Sequence, residues 1–522
     1  MKPQRGPAEV ATLSPGLRRY LYFTAAVTGA AVMIVEILGA KMLAPHFGTS
    51  HFVWTAQIAV TLVALATGYY AGGRLVDRAP RLSRLYWAVL GAALYLAFTV
   101  LAVELVANWC LGFKLALVSL LASAFLFFVP LALLAMVGPF FVRVLTVAVA
   151  GVGGNVGRLT AISTLGSFAG TVLIGYVLIP FLPNSVTMFV TSGALAAVCA
   201  GYFFGWGRKQ VSPAPVAIGI LLVLSLGGTG VAMDRPLKSD SWRELHRANS
   251  NFGRLQVFSS NYSPRRYYLN DYLTQNTYDA QAKQSVSLFT YMLHDLARGY
   301  RTNLDDVLCI GLGVGIVPMQ FAREGIRVDV AEINPAVVPV ARRFFDLDPA
   351  MLQITIDDGR HFVNRSAKRY DAIVVDAFLG DSSPSHLMSR EAFSAMRRRL
   401  KPDGVLVMNT FGDTESGKDF FTASLSKTLK AVFRSVRIHG TGNGNIFFAA
   451  SDQPEMELKN APQLAQVNES CREEVRIACA TLLQTDPDHG RVLTDDYNPV
   501  DYYDAANREQ FRRYAAMAMR GR

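Results

Sequence analysis

Hydrophobic pattern divides the chain into two halves. Across residues 1–233, seven apolar runs of roughly 18–25 residues recur, and about 20 helical residues cross a hydrocarbon core. They lie near Tyr20–Leu43, Val53–Leu75, Tyr86–Ala107, Leu115–Val137, Thr160–Phe181, Ser185–Gly205 and Val216–Met233. The pattern then changes abruptly. Residues 234–250, with Asp234, Arg235, Pro236, Lys238 and Asp240, are polar and read as a linker. Period-two alternation in Leu255–Phe258, Arg266–Leu269 and Tyr272–Gln275, with turn residues between, predicts a small antiparallel β-hairpin region. Gln284–Arg298 has helical spacing and leads into the last part of the chain. There, strand-like runs at Val307–Ile310, Val328–Ala331, Leu352–Ile356, Ala372–Val375 and Gly404–Met408 alternate with helical stretches at Val317–Glu324, Ala336–Phe345 and Arg390–Leu400. Such alternation predicts a doubly wound parallel sheet whose ligand lies over the carboxyl ends of the strands. The expected organisation is a tail at 1–19, a multispanning α-helical membrane domain at 20–233, a linker at 234–250, a β-hairpin region with lead-in helix at 251–300, and an α/β domain at 301–522.

Composition agrees with this division. Of 522 residues, 51% are hydrophobic and 17% charged, too apolar for an ordinary soluble enzyme of this size. The formal net charge of +11 is unevenly placed: 14 Lys/Arg and 4 Asp/Glu precede residue 234, against 37 and 36 beyond it. The surplus therefore belongs to the apolar half. That fits loops at an anionic lipid bilayer and argues against a nucleic-acid partner, which would need basic clusters on the polar half. Lys2, Arg5, Arg18, Arg19, Arg74, Arg78, Arg81, Arg84, Arg143, Arg158, Arg208 and Lys209 fall on one side of the spans, the expected cytoplasmic side. No cleavable signal peptide is expected, because the first run follows a polar segment and is too long for one. The chain is expected to be a multi-pass membrane protein. Seven spans from a cytoplasmic N-terminus would put the C-terminal half outside, whereas nucleoside supply favours the cytoplasm. The short run Val216–Met233 and the long stretch Leu115–Gly154 leave that side open.

Glu36 sits in the middle of the first run, where an unpaired charge costs about 3 kcal/mol or more. It reads equally as a lining group for a cationic or proton-bearing ligand and as a helix-packing carboxyl. The loop from Gly68 to Arg78 is similar, over a dozen residues, to the Gly-x-Leu-Ala-Asp-Arg loop of major-facilitator transporters.

The chemistry concentrates in the second half. Val307–Ile310 ends in Gly311, Gly313 and Gly315, an alternation that lets a backbone approach a nucleotide closely, and Glu332 closes the next strand where an acid can hold a ribose hydroxyl pair. Asp357 and Asp358 end the third strand and Asp376 the fourth. Near the C-terminus, Leu493–Asp501 gathers acids around Tyr497, with Asp496 beside it. His294 and His361 show no metal-ligand spacing and read as surface or helix-face residues. The five cysteines contain no C-x-x-C pair, so no metal site and no bound prosthetic group is expected.

The series Gly-x-Gly-x-Gly, Glu332-Ile333-Asn334, Asp357-Asp358-Gly359, Tyr370–Asp376 and Arg399–Gly404 resembles the spermidine synthase (polyamine aminopropyltransferase) family over roughly residues 250–450. With its apolar half, the whole chain resembles bacterial membrane-fused spermidine synthase-like proteins. The resemblance implies a Rossmann-like fold of the class I S-adenosylmethionine-dependent methyltransferase type. It implies an S-adenosyl sulfonium substrate, decarboxylated S-adenosylmethionine or S-adenosylmethionine itself, and release of 5′-methylthioadenosine. By position Glu332 and Ile333 would hold the ribose, Asp357, Asp358 and Gly359 the adenine, Gln275 the far end of the nucleoside substrate, and Asp376 would take the proton of an attacking amine. Tyr497 and Asp496 would complete the pocket.

The departures from the family pattern are specific. Val314 stands where the glycine loop carries Asp, Leu379 replaces the second acid after Asp376 with Asp381 two residues on, and Phe289-Thr290 replaces a Tyr-Gln pair. An aliphatic diamine would lose its compensating carboxylates, so the expected amine acceptor is not plain putrescine. Asp381 and Phe289 become candidate acceptor contacts. Two other readings remain open: lyase-type cleavage of S-adenosylmethionine without an amine, and a non-catalytic nucleoside- or polyamine-sensing domain on a transporter-like membrane domain. A homodimer is also compatible.

Overall fold

The computed structural model describes residues 13–47, 51–110, 115–146, 152–208, 211–233, 240–271, 273–378, 384–486 and 488–499. Contacts divide the chain into two compact units, Met1–Arg235 and Pro236–Arg522.

The first unit is helical. Seven of its helices are long and apolar enough to cross a membrane: α1 (Pro15–Ala44), α2 (Phe52–Arg78), α3 (Leu82–Ala107), α4 (Ala116–Leu145), α5 (Val152–Phe181), α6 (Asn184–Gly207) and α7 (Pro213–Ala232). They extend the runs read from the sequence by several residues, because helical hydrogen bonding continues past the last strongly apolar residue. The stretch that left room for an extra half-span forms the single long helix α4 up to Leu145.

When neighbouring helices are apolar on most faces, hydrophobicity gives little specificity and close packing of small residues must supply it. Helices α1 and α5 pack in that way. A Cβ at Gly166 would stand 2.1 Å from the Ala26 carbonyl oxygen, and one at Gly170 would stand 2.6 Å from that of Ala30. The Ser167 hydroxyl donates to the Gly29 carbonyl at 3.1 Å across the same seam. Elsewhere Tyr86 of α3 stacks on Tyr202 of α6 with centroids 3.9 Å apart, and its hydroxyl meets Thr24 of α1 at 2.9 Å.

The second unit begins with a five-stranded antiparallel sheet, ordered β1 (Trp242–Ser250), β2 (Gly253–Ser260), β3 (Arg265–Asn270), β4 (Leu273–Asp279), β5 (Gln284–Ser285). Strand β1 corrects the linker expectation for 242–250. Its pattern hides it, because an inward position carries Glu244 rather than an apolar residue. Glu244 is only 8% exposed and is satisfied by Arg247 at 2.6 Å and by the Gln256 amide at 2.9 Å.

Helix α8 (Leu288–Tyr300) leads into the main sheet, made of β6 (Asp306–Ile310), β7 (Arg327–Glu332), β8 (Gln353–Ile356), β9 (Tyr370–Val375), β10 (Leu400–Asp413), β11 (Ser435–Gly440) and β12 (Asn443–Ser451). Its spatial order is β11-β12-β10-β9-β6-β7-β8. Strands β8, β7, β6, β9 and β10 run parallel, while β12 is antiparallel to both β10 and β11. Helices α9 (Ile316–Arg323), α10 (Val337–Phe344), α11 (Gly359–Arg365), α12 (Arg390–Arg399), α13 (Phe420–Lys430) and α14 (Arg472–Ala480) accompany it. This is the strand order of a class I methyltransferase-type α/β fold, and the reversal of order between β6 and β9 creates a crevice at their carboxyl ends. At the amino ends, Asp306 pairs with Arg327 at 2.8 Å and with Lys401 at 2.8 Å, and Lys401 also reaches Asp371 at 2.8 Å.

Of the two places expected for His294, surface or helix face, the structure gives a buried face of α8. It is 3% exposed on α8, with Nδ1 3.2 Å from Asp295, Nε2 3.2 Å from Glu324 without hydrogen-bond alignment, and Phe321 against its ring. Burial alone would lower its pKa; hydrogen bonding and charge from the two carboxylates outweigh burial and raise it.

Two outcomes follow from this packing. Gly166→Leu should prevent α1 and α5 from closing, at a cost above the roughly 1–3 kcal/mol of ordinary overpacking because the obstacle is backbone. The detergent-solubilised chain should then show a lowered thermal midpoint, whereas Gly157→Leu on the same helix, with nothing within 4 Å, should not. For His294 the folded pKa lies above the unfolded one, so its contribution is complete below the unfolded value of about 6.5 and is lost as pH rises through the folded value. His294→Gln should therefore lower the thermal midpoint more at pH 6 than at pH 9.

Candidate active site

The carboxyl ends of β6, β7 and β9 are tied together by backbone hydrogen bonds that continue past the strands. Gly311 N–H donates to the Ala331 carbonyl at 2.9 Å, Asp376 N–H to Ile310 at 3.0 Å, and Asp357 N–H to Glu332 at 3.0 Å. This tight arrangement explains the glycines. Gly311 has φ +97°, and a Cβ there would stand 2.2 Å from the Asp376 carbonyl oxygen. Gly313, by contrast, has nothing within 4 Å of its Cβ position and opens onto a cavity of about 700 Å³.

Glu332 shapes the loop. It is 7% exposed, and its carboxylate accepts the Leu312 N–H at 2.8 Å on one oxygen and the Asn334 N–H at 2.7 Å on the other. Burial raises its pKa, and the backbone donors pull it back. Each oxygen keeps lone-pair capacity toward the cavity. Asp358 caps α11 by accepting from the N–H groups of Arg360 and His361, both at 3.0 Å, and its second oxygen lies 2.8 Å from His386 Nε2. Burial would raise this carboxyl, but those donors hold it below its usual value.

Asp376 follows β9 at the base of the cavity. It is half-buried, and it lines the cavity where a ligand can reach it. Burial pushes its carboxyl up to about 6, opposed by a 3.0 Å hydrogen bond from the Asn409 amide of β10. Asn409 is held in turn by the amide of Asn445 on β12 at 2.9 Å. A carboxyl that ionises just below neutral pH, fixed by a donor and open on one side, can accept a proton from a bound group.

Of the residues expected from the sequence, Gln275, Phe289, Gly311, Gly313, Glu332, Ile333, Asp358, Gly359 and Asp376 line this one cavity. Val314 also lines it. Four others lie elsewhere among the described residues. Gly315 has φ +85° and caps α9 against Leu347. Asp357 turns to His361 at 2.7 Å. Tyr497 is 49% exposed beneath the Arg491 guanidinium, and Asp496 is exposed beside it. The cause is Asp495, which binds Arg360 at 2.7 Å and Ser389 at 2.5 Å and ties the segment to the start of α11 and α12. Asp381 and Leu379 are outside the described residues. Glu36 belongs to the other unit.

The far wall was missed by sequence reasoning. Phe378 and Phe411 pack with centroids 5.4 Å apart, and Asp413, Glu415 and Lys418 follow β10. Lys418 is paired with Glu415 at 2.6 Å. Five carboxylates and one lysine thus line the cavity, which favours a cationic ligand. On the antiparallel sheet, Asn270 and Asn276 also face it, buried, each with a side-chain oxygen unpaired among the described residues. The strand expected from the sequence stopped at Met408, so nothing local marked Asp413 as a strand end.

Residues 287–441 match the family model described as the spermine/spermidine synthase domain. The polyamine aminopropyltransferase of Vibrio vulnificus is 30% identical over 205 residues, covering 37% of this chain and 68% of that protein. An N-terminal histidine N-methyltransferase of Emericella nidulans is 37% identical over 138 residues, covering 26% of this chain but only 24% of that protein. A spermidine synthase solved with the transition-state analogue AdoDATO superposes with a TM-score of 0.38 at 17% identity, covering 47% of this chain and 94% of that one.

The Asn409 contact makes a measurable difference. Asn409→Leu removes the donor that stabilises ionised Asp376, so the acidic limb of the rate profile, expected near pH 6, should move to higher pH. Asp376→Asn should remove the limb together with about 10²–10⁴-fold of the rate.

Proposed function

The chain belongs to the spermine/spermidine synthase (polyamine aminopropyltransferase) family, and from that premise we propose that its α/β unit transfers an aminopropyl group from decarboxylated S-adenosylmethionine to an amine. 5′-Methylthioadenosine is the other product. The helical unit holds the enzyme in a bacterial inner membrane as a multi-pass protein.

The observation that carries this reading is Asp376, a cavity-facing carboxyl raised to about 6 by burial and oriented by Asn409. In the reaction the amine lone pair attacks the carbon bonded to the sulfonium, the carbon–sulfur pair leaves with methylthioadenosine, and the surplus ammonium proton goes to Asp376. The rate gain comes from holding the amine in line and accepting its proton. Glu332 suits the ribose hydroxyls through its remaining lone pairs, and Asp358 with His386 suits the adenine edge. Gln275, Asn270 and Asn276 supply acceptors opposite the sulfonium's aminopropyl arm.

The acceptor lies against Phe378, Phe411, Asp413 and Glu415. With Val314 and Phe289 standing elsewhere in the cavity where the family has polar residues, the lining as a whole favours an amine with an apolar body over putrescine. A second carboxylate-bearing wall supports transfer to an amine over cleavage without one.

Incubating the full chain with decarboxylated S-adenosylmethionine should release methylthioadenosine only when an amine is present, in a one-to-one ratio with alkylated amine. Equal release without amine would assign a lyase instead, and no release with any amine tested would leave only a binding role for the cavity.

A further inference from the structure

In the helical unit three helices meet where Gln57 of α2 packs between Gly39 of α1 and Phe127 of α4. Gln57 of α2 is fully buried, and neither its amide nitrogen nor its carbonyl oxygen has a partner among the described residues. It enters a notch at Gly39 of α1, where a Cβ would stand 2.8 Å from the Gln57 nitrogen and 3.0 Å from the Phe127 ring. Phe127 continues a face of α4 formed by Ser119, Ser123 and Phe127 at four-residue spacing, all fully buried, and the Ser123 hydroxyl also lacks a partner among the described residues. That face runs into a π-helical turn at Ala124–Phe128, a local widening often found where helices form sites. Glu36, half-buried, stands one turn before Gly39 on the same side of α1 and is the sole acid of that helix.

Leaving a carboxamide and a hydroxyl unsatisfied in an apolar interior is costly, so the arrangement is matched to something polar that enters it. Carboxylate, carboxamide oxygen and hydroxyl oxygen form an acceptor set that fits the three N–H donors of an ammonium group, and the Phe127 ring offers an apolar neighbour to its alkyl body. A metal ion fits less well, since the described residues hold no group of three His, Cys, Asp or Glu. We propose that Glu36, Gln57 and Ser123 form an alkylammonium-binding site inside the helical unit. The ligand class follows from this acceptor set alone and does not depend on the transferase reading.

The test uses the full chain in lipid nanodiscs and a hydrophobic carbodiimide, which modifies carboxyls in apolar surroundings, with Glu36 followed by peptide mass analysis. Butylammonium chloride at ten times its dissociation constant should slow Glu36 modification about tenfold, whereas sodium chloride of equal ionic strength should not. Gln57→Leu and Ser123→Ala should abolish the protection, and Asp376→Asn should leave it intact even if methylthioadenosine release is lost. Equilibrium dialysis with labelled butylamine gives a second reading, in which Glu36→Gln removes one site per chain without changing the thermal midpoint. Equal protection by both salts, protection that survives Gln57→Leu, or butylamine binding unchanged by Glu36→Gln would each overturn the proposal. Failure of the transferase reading would appear separately, as absent methylthioadenosine release with Glu36 protection retained.

Discussion

The Glu332 carboxylate, closed over the N–H groups of Leu312 and Asn334 at 2.8 and 2.7 Å, is the contact on which the nucleoside side of the cavity depends. A charge-assisted hydrogen bond to backbone is stronger than a neutral one, and here two share one buried group. They fix the glycine loop against the end of β7, which leaves Gly313 facing the cavity. With the loop fixed, Gly311 must lie against the Asp376 carbonyl, and only a residue without a side chain fits there. Asp376 and the glycine loop are therefore placed by the same set of contacts.

Charge is divided between the two ends of the sheet. At the amino ends Asp306 and Asp371 are consumed by Arg327, Lys368 and Lys401, and these hydrogen bonds hold Asp306 well below the usual carboxylate range. At the carboxyl ends Glu332, Asp358 and Asp376 are met by backbone, imidazole and amide groups rather than by Lys or Arg. Burial raises Asp376 to about 6, and among the described residues only the Asn409 amide opposes it. A cationic sulfonium and an amine would meet charge that the protein has not already neutralised.

Much of this was legible in the sequence, for local reasons. The glycine loop, Glu332, Asp358 and Asp376 each sit directly after an apolar strand, so period and position alone place them at one edge of a parallel sheet. Asn409, Asn445, Phe411 and Asp413 escape such reading, because they reach the cavity only through the strand order β12-β10-β9-β6, which no local pattern encodes. Strand β1 was hidden by a buried Glu244 that its neighbours satisfy. His294 read as a surface or helix-face residue, and its burial depends on carboxylates one residue and thirty residues away, the second of which no local pattern links to it. Tyr497 was misplaced by a single side chain, since the Asp495 contacts turn it outward.

The substitutions that set this chain apart act on opposite walls. Val314 is 1% exposed and joins the apolar core beneath the loop, so no acid faces the cavity from there. Carboxylates appear instead after β10, where Asp413 lies opposite Asn443 in the antiparallel pair with β12, next to the aromatic pair Phe378 and Phe411. Negative charge at this end of the cavity is thereby bordered by aromatic rings. A second ammonium group would have to be desolvated against those rings with Glu415 already engaged by Lys418, whereas an apolar body would gain from the same contact. The cavity thus carries its acids at both ends and the Phe378–Phe411 pair at one.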